Sequence, residues 1–467
     1  MANNEKHNCK IISAPVLRDE SKERLIEIII QQSEQLDKLY KKNGELERFI
    51  KKQEKQIEEL ERTRHRQAAP FRREEAKKAE APRRPGRKKG HKGSYRQPPQ
   101  ELDETVDVPL EGCPKCRGPL ESVTPVKQII EEIPPIVPRR YRLVTYTGVC
   151  SQCGEVHSSH PLKTSGATGA AQVQLGPRAK ALALQLNYGY GLSKRKTASV
   201  MKEVCGLSAT ASGWHYACSR ISEKCEEDYQ SLLAQARASD YLHADETSWY
   251  MGSPKSWLWV FANRGQTLYK VADSRSREVI KRVIGDNYQG TLVSDCLIVY
   301  EDVAGSQQKC YSHHLKEIKK AREQNAGKDL TFFEEIKNML KTAMHIKKVK
   351  GQVSGQRYRQ ACKKLEKQAD RLLIPTRADP AEEKIANRLR KQRDHLFTFL
   401  YQENVDATNN LAERQLRPAV IARKISCGNK TRKGADTWQT LTSLIVTNNQ
   451  AGQDNTSFFR QKAIFSA

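Results

Sequence analysis

The stretch that decides the fold is HADETSWYMGSPKSWLWVF, residues 243–261. Two runs rich in aromatic and β-branched residues flank a Gly-Ser-Pro turn, a pattern typical of two strands joined by a short connection. Asp245 lies inside the first run. Burying a carboxylate in a central strand costs free energy unless the charge is paired or binds a cation. Asp245 is therefore a candidate functional residue.

The segments that follow extend this sheet. TLYKVAD has strand character, SREVIKRVIGD has helical spacing, and GTLVSDCLIVYE has the pattern of a buried strand. Three strands, a helix and a fourth strand predict an α/β or α+β sheet domain. Asp295 lies in the fourth strand, 50 residues after Asp245. If the fourth strand lies beside the first, the two aspartates lie at the same level of the sheet.

Neighbouring carboxylates repel each other unless divalent cations occupy the gap, and oxygen ligands favour Mg²⁺ or Mn²⁺. Two such ions about 3.5–4 Å apart stabilise the attacking and leaving oxygens of a phosphoryl displacement. A third acid is expected from a later helix. Glu413 in NNLAERQLRP is the best candidate, because it is the only acid in a strongly basic helix start.

Other interpretations of these acids remain open. Glu413 follows Asn410 by three residues, as in a helix capping box, and precedes Arg417 by four, as in a helical ion pair. Asp295 could be a hydrogen-bonded residue at a strand end.

Composition indicates an intracellular protein of two or three folded units. The chain has 467 residues, of which 37% are hydrophobic and 29% charged. No apolar run is long enough to span a bilayer, and the N-terminus lacks the apolar region of a secretory signal. We expect a cytoplasmic protein without a membrane partner.

The net charge of +26 favours nucleic acid as a partner. The charge is concentrated: residues 63–96 carry thirteen Lys or Arg and three Glu, and residues 411–433 carry seven Lys or Arg and one Glu. The first segment is rich in Pro and Gly and could follow a DNA groove, or it could be a plain basic linker. The candidate DNA-binding residues are Arg83, Arg84, Arg87, Lys88, Lys89, Lys92, Arg414, Arg417, Arg423 and Lys424.

Four of the twelve cysteines have the spacing of a zinc site. CPKC contains Cys113 and Cys116, and CSQCG contains Cys150 and Cys153. Two such turns, each offering two thiolates, fit a tetrahedral zinc ribbon of structural role, since no ligand position stays open for a substrate. The intervening segment is interpreted as short strands broken by prolines. The alternative is a pair of reduced surface turns.

Residues 21–62 follow a heptad repeat. Of the eleven a and d positions eight are aliphatic, and the single Asn at an a position, Asn43, commonly specifies a parallel dimer. The pattern predicts a coiled coil that joins two copies of the chain. The alternative is one long amphipathic helix packed on the protein's own core.

The remaining segments have mainly helical patterns. Within residues 176–222, two helices joined by the turn CGLS, the second led by Ser208, are similar in length and capping to a helix-turn-helix. Residues 313–403 are helical and highly charged, with breaks at QNAGKD and RLLIPTRADPAEE, and the last segment is helix, short link, helix.

Taken in order, several motifs resemble those of IS66-family transposases. They are RRPGRKKGHKG, the two CxxC turns, HADETSWYM, LVSDCLIVYE, KCYSHHLKEI and TNNLAERQLRPAVIARK. The last is the most specific. One departure is ISCGNKTRKGADTW, which stands where a run similar to LFAGS is more typical.

The resemblance implies a multidomain α+β protein with an RNase H-like DDE catalytic domain. Asp245, Asp295 and Glu413 would be its catalytic residues and metal ligands, while Cys310 and His313 fill a Cys-x-x-His motif of open role. The implied regions are a disordered N-terminus (1–20), a coiled coil (21–62), a basic linker (63–100), a zinc-binding domain (101–162), a helical DNA-binding region (170–235), a catalytic core (238–315 and 404–450) with a helical insertion (316–403), and a C-terminal tail (451–467).

The implied activity is Mg²⁺- or Mn²⁺-dependent DNA cleavage and strand transfer at terminal inverted repeats. The expected partners are DNA, a second copy of the chain and accessory proteins of the same element. The resemblance also implies a bacterial protein associated with the nucleoid. Two alternatives remain: a non-catalytic DNA-binding regulator, and a metal-dependent nuclease on the same fold.

Overall fold

The computed structural model describes residues 21–65, 90, 93, 95–166, 172–252, 256–301 and 305–465. The chain divides into two units, residues 1–96 and residues 97–467. The predicted N-terminal disorder (1–20) and most of the predicted basic linker, including Arg83, Arg84, Arg87, Lys88, Lys89 and Lys92, lie outside the described residues.

Among the described residues of the first unit, the regular structure is one helix, α1 (Lys22–His65). It spans the whole heptad segment, so the helical part of the prediction is confirmed. The seam residues Ile29, Leu36, Leu39 and Ile50 are all more than half exposed. Self-association through this apolar stripe stays a prediction.

The second unit begins with a largely irregular segment. Its only regular structure before residue 166 is the antiparallel hairpin of β1 (Thr147–Cys150) and β2 (Gly154–His157). The short strands predicted between the two CxxC turns do not form, apart from β1 at the end of that segment, and its apolar residues, such as Val126 and Ile130, are exposed. Without an apolar layer to pack against, strands are not stable there.

Four helices and a π-helical turn (Gln185–Gly189) come next. The helices are α2 (Pro177–Leu184), α3 (Lys194–Glu203), α4 (Ala211–Lys224) and α5 (Glu226–Arg237). The predicted lead residue of the second helix is wrong: the cap of α4 is Thr210, whose hydroxyl accepts a hydrogen bond from the backbone of Gly213, rather than Ser208. Trp214 of α4 packs on Met201 of α3, whereas Ile221 belongs to the core of the sheet.

A mixed five-stranded sheet forms the centre of the second unit, in the order β5-β4-β3-β6-β7. Its strands are β3 (Tyr241–Trp249), β4 (Ser256–Ala262), β5 (Thr267–Ala272), β6 (Thr291–Ser294) and β7 (Ser306–Lys309). The first three are antiparallel neighbours, while β6 and β7 run parallel to β3. Helix α6 (Arg277–Ile284) connects β5 to β6 as predicted.

Two details of the predicted sheet are wrong. The fourth strand ends at Ser294, so Asp295 follows the strand, and Ile298–Tyr300 is a 3₁₀ turn. A further strand, β7, was not predicted. Its sequence SQQK is polar, yet Gln307, Gln308 and Lys309 are buried.

The predicted helical stretch between β7 and the last segment is confirmed. It contains α7 (Tyr311–Gln324), α8 (Thr331–Lys348), α9 (Gly355–Leu373), α10 (Pro380–Arg390) and the short α11 (Thr398–Tyr401). These helices pack around an apolar core that includes Phe333, Leu340 and Leu389 together with Val293 of β6.

The C-terminal helices close the sheet. They are α12 (Asn410–Ser426), α13 (Arg432–Gln450) and α14 (Asn455–Ala463), the last within the predicted tail. Leu416 and Trp438 pack on the side chains of Leu258 and Val260 from β4, while Trp259 and Phe261 point into the core on the opposite face. The predicted mixed α+β architecture is therefore confirmed. In the described ranges, no helix is long and apolar enough to cross a membrane.

Candidate active site

Asp245 and Asp295 lie at the same level of the sheet. Parallel pairing joins Tyr241 to Thr291 and His243 to Val293, and the same register continued by two residues reaches Asp245 and Asp295. The expectation that the fourth strand lies beside the first is thus confirmed. Each carboxylate also accepts a 2.9 Å backbone hydrogen bond, Asp245 from the N–H of Glu246 and Asp295 from the N–H of Leu297.

Helix α12 crosses the face of β3 that carries Asp245. At its start, Asn409 Oδ1 lies 3.2 Å from Nδ1 of His243, and near its end Arg423 donates a 3.1 Å hydrogen bond to the hydroxyl of Thr247. Alternate side chains of a strand share a face, so Asp245 lies on this face between His243 and Thr247.

Asn409 fixes the start of α12. It is fully buried, its side-chain NH₂ donates a 2.8 Å hydrogen bond to the carbonyl of Ala244, and its backbone N–H donates to Sγ of Cys310 at 3.1 Å. The capping-box interpretation of Glu413 is wrong, because the residue at the N-cap is Asn409 and no side chain caps the helix there. Glu413 instead lies half-buried in the first turn of α12.

The charges of neighbouring acids act on the pKa of Asp245. Burial raises the pKa of Asp245 to about 7, aided by the charges of Glu246, Asp295 and Glu413, while the backbone N–H of Glu246 opposes the shift. A carboxylate in this environment gains free energy when a cation arrives.

Glu246 has partners of its own. Its side chain is 1% exposed, forms a salt bridge with Arg275 at 2.5 Å and accepts a short hydrogen bond from the hydroxyl of Tyr300. Burial raises its pKa, against the effect of these two partners. Because it points to the opposite face from Asp245, Glu246 supports the strand and does not join the carboxylates under α12.

The described part of the chain has one group of three or more metal-ligating side chains whose ligand atoms all lie within 4.8 Å of one another. It consists of Cys310, His313 and Glu413. Neither the three predicted catalytic carboxylates nor the four zinc-ribbon cysteines form so close a group.

The imidazole of His313 balances negative charge in this group. The neighbouring Cys310 side chain raises the pKa of His313 to about 9, and the charges of Asp295 and Glu413 act in the same direction against burial. His314, the next residue, differs: burial lowers its pKa to about 3, helped by the charge of Arg388.

In each CxxC turn, backbone N–H groups of the same turn lie at the thiol of the first cysteine. Hydrogen bonds from the backbone N–H groups of Cys116 and Lys115 lower the pKa of Cys113, and those from Gln152 and Cys153 lower the pKa of Cys150. Such bonds favour the thiolate, the form that binds zinc. The zinc site stays a prediction.

The described basic residues differ in their surroundings. Arg414, Arg417 and Lys424 are exposed on α12. Arg423 is half-buried and also donates to the Ser248 hydroxyl at 2.7 Å, which holds the end of α12 against β3. DNA contact by these four stays a prediction.

The structure adds two residues that the sequence interpretation missed, His243 and Asn409. Burial lowers the pKa of His243 to about 4, so its neutral ring bonds to Asn409 beside Asp245. Two signals were present: His243 lies two residues before Asp245, hence on the same face, and consecutive asparagines are favoured at a helix start.

No curated protein matches the chain. A family model described as Transposase IS66 family matches residues 172–437. This span is more than half of the chain and includes the sheet, the helices between β7 and α12, and the carboxylates of Asp245, Asp295 and Glu413. The chain therefore belongs to the IS66 family of transposases.

Proposed function

We propose that the chain cuts and joins DNA at the ends of its element, with Asp245, Asp295 and Glu413 as the ligands of catalytic Mg²⁺. Family membership supports transposition in general. One observation supports the assignment of residues: Asp245 and Asp295 lie at the same level of two neighbouring strands, close to the first turn of α12.

The residues fit magnesium. All three side chains offer hard carboxylate oxygens, the donors that Mg²⁺ prefers. The raised pKa of Asp245 also indicates uncompensated negative charge at this place. Bound Mg²⁺ would activate first water and then a DNA 3′-hydroxyl as the nucleophile, and would stabilise the leaving oxygen.

The chain's own groups do the positioning. Backbone N–H groups of Glu246 and Leu297 orient the two aspartates, and the Asn409 contacts fix the turn that carries Glu413. Exposed Arg414 and Arg417 on the same helix would hold DNA phosphates near the acids, since Arg binds phosphate with charge-assisted hydrogen bonds.

The test uses Asp245→Asn with DNA that carries the inverted repeats flanking the gene. We expect end binding to persist while Mg²⁺-dependent cleavage falls by more than about 100-fold, because loss of an outer-shell partner alone costs up to about that much. The control is Asp240→Asn, an exposed aspartate just before β3, which should leave cleavage unchanged. Full cleavage by Asp245→Asn would refute the assignment.

Pre-cleaved ends incubated with target DNA separate the remaining alternatives. Joined products that depend on Asp245 support a transposase. Cleavage without joined products indicates a nuclease. A chain that binds ends and regulates expression equally well with Asp245→Asn, and never cleaves, indicates a regulator.

The outer regions complete the proposal. Residues 21–62 bring two chains together and residues 63–230 bind the element ends, with one structural zinc ion held by Cys113, Cys116, Cys150 and Cys153. Lowered pKa values of Cys113 and Cys150 support the zinc site.

A further inference from the structure

Beside the carboxylates lies a second group of donors with different chemistry. Cys310, His313 and Glu413 bring one sulfur, one imidazole nitrogen and one carboxylate oxygen within 4.8 Å of one another. A tetrahedral zinc ion with bonds of about 2.0–2.3 Å keeps its ligand atoms about 3.3–3.8 Å apart. Side-chain shifts of about an ångström therefore complete the site.

Two helix starts hold these donors in place. Cys310 is the N-cap of α7, and His313 lies three residues later, on the same face of the first turn. Cys310 is fully buried and accepts the backbone hydrogen bond of Asn409, which begins α12 and so fixes the turn of Glu413. Nδ1 of His313 is buried and has no hydrogen-bond partner.

The donor set distinguishes between metals. Mg²⁺ requires oxygen ligands and near-octahedral geometry, whereas a thiolate with an imidazole and a carboxylate suits Zn²⁺. Three protein ligands leave a fourth position for water. His313 and Glu413 are half-buried, so the open side of the group is reachable from solvent.

We propose that Cys310, His313 and Glu413 form a zinc site that shares Glu413 with the magnesium site and inhibits it. Because the carboxylate of Glu413 is held on a rigid helix turn, it can bind the zinc ion or the magnesium ion but not both at once. Zinc at the thiolate therefore draws Glu413 away from Asp245 and Asp295. The antagonism rests on the proposed function, whereas zinc binding itself does not.

The binding test measures zinc per chain by elemental analysis of the full-length protein. We expect Cys310→Ser and His313→Asn each to hold about one equivalent less than the unsubstituted chain, because each removes one of three ligands. Cys427→Ser, an exposed thiol at the end of α12, is the matched control and should keep the full content. Zinc at the CxxC turns is common to all four proteins, so the difference reports on this site alone.

Cobalt substitution supplies a second readout. Thiolate-to-cobalt charge-transfer absorption should weaken in Cys310→Ser and remain in Cys427→Ser. Helical circular dichroism of both variants checks that they are folded, and His313→Asn tests the site without altering the buried thiol. Equal zinc content in all four proteins would overturn the site.

The inhibition test compares Mg²⁺-dependent cleavage with and without added zinc for each protein. We expect zinc to reduce cleavage by the unsubstituted chain and Cys427→Ser at least about tenfold, the usual effect of disturbing a metal ligand, and to change that of Cys310→Ser little. Zinc bound through Cys310 without inhibition would overturn the antagonism. Zinc binding by a chain that never cleaves DNA would instead support the site and refute the proposed function.

Discussion

Asp245 shows how one residue's surroundings define its chemistry. It lies half-buried on β3 with Glu246, Asp295 and Glu413 nearby, and desolvation raises its pKa to about 7. Because the folded-state pKa lies above the ordinary value of 3.8, the metal-free fold loses stability as pH rises from about 4 to about 7.

Asp245→Asn should therefore stabilise the chain in the absence of Mg²⁺ at pH 8, and have little effect at pH 4. The gain at pH 8 should reach at most about 4 kcal/mol, since one pKa unit corresponds to about 1.4 kcal/mol. Urea denaturation at both pH values measures the difference. Equal free energies of unfolding of the two proteins at pH 8 would show that ionisation of Asp245 does not destabilise the fold.

Sequence patterns identified the acids but not the group that Glu413 joins. The common level of Asp245 and Asp295 on the sheet could be predicted because each acid interrupts or ends a recognisable strand. Cys310 and Glu413 are about a hundred residues apart in sequence, and only the packing of two helix starts brings them together. Local periodicity in the sequence does not indicate which residues so far apart in the chain come into contact.

Among the elements, α12 depends on the bonds at its first residue. Asn409 contributes hydrogen bonds to Ala244, His243 and Cys310, so the helix start is tied both to β3 and to the end of β7. The position of Glu413 follows from these contacts.

Asn409→Ala should destabilise the fold by about 2–4 kcal/mol, because buried partners lose their hydrogen bonds. Asn410→Ala, the exposed neighbour, is the control and should change stability by less than about 0.5 kcal/mol. Thermal unfolding of both variants measures the effect. Similar melting of the two would show that the Asn409 bonds contribute little.

The strand that the sequence did not predict, β7, buries polar side chains. In β7 the buried side chain of Gln308 bonds to the segment around α11: it donates to the carbonyl of Leu396 at 3.2 Å and accepts from the N–H of Phe399 at 2.9 Å. Apolar alternation is absent from SQQK, so its pattern does not indicate a strand. The strands β3–β6, by contrast, carry apolar or aromatic runs and were recognised.

For the whole molecule, α1 presents the clearest requirement for a partner. Exposed large apolar stripes on a long helix favour association, and the heptad repeat gives the geometry of a coiled coil.

We predict that the unsubstituted chain is a dimer and that Leu39→Asp, at a d position, is a monomer, because two carboxylates would face each other in the seam. Gln31→Asp introduces the same charge at a c position on the outer face and is the control. Light scattering after size-exclusion chromatography measures the mass of each. A dimer that survives Leu39→Asp would place the interface elsewhere.

The two ends of the helical segment between β7 and α12 are fastened together. The N–H of Tyr311 donates to the carbonyl of Ala407 at 2.9 Å, next to the bond from Asn409 to Cys310. The chain thus leaves and re-enters the sheet at one place. Extra residues at the turn between α7 and α8, such as a fluorescent reporter after Gly327, would lengthen the helical segment without shifting either of its ends. This turn is therefore the natural site for labelling the protein.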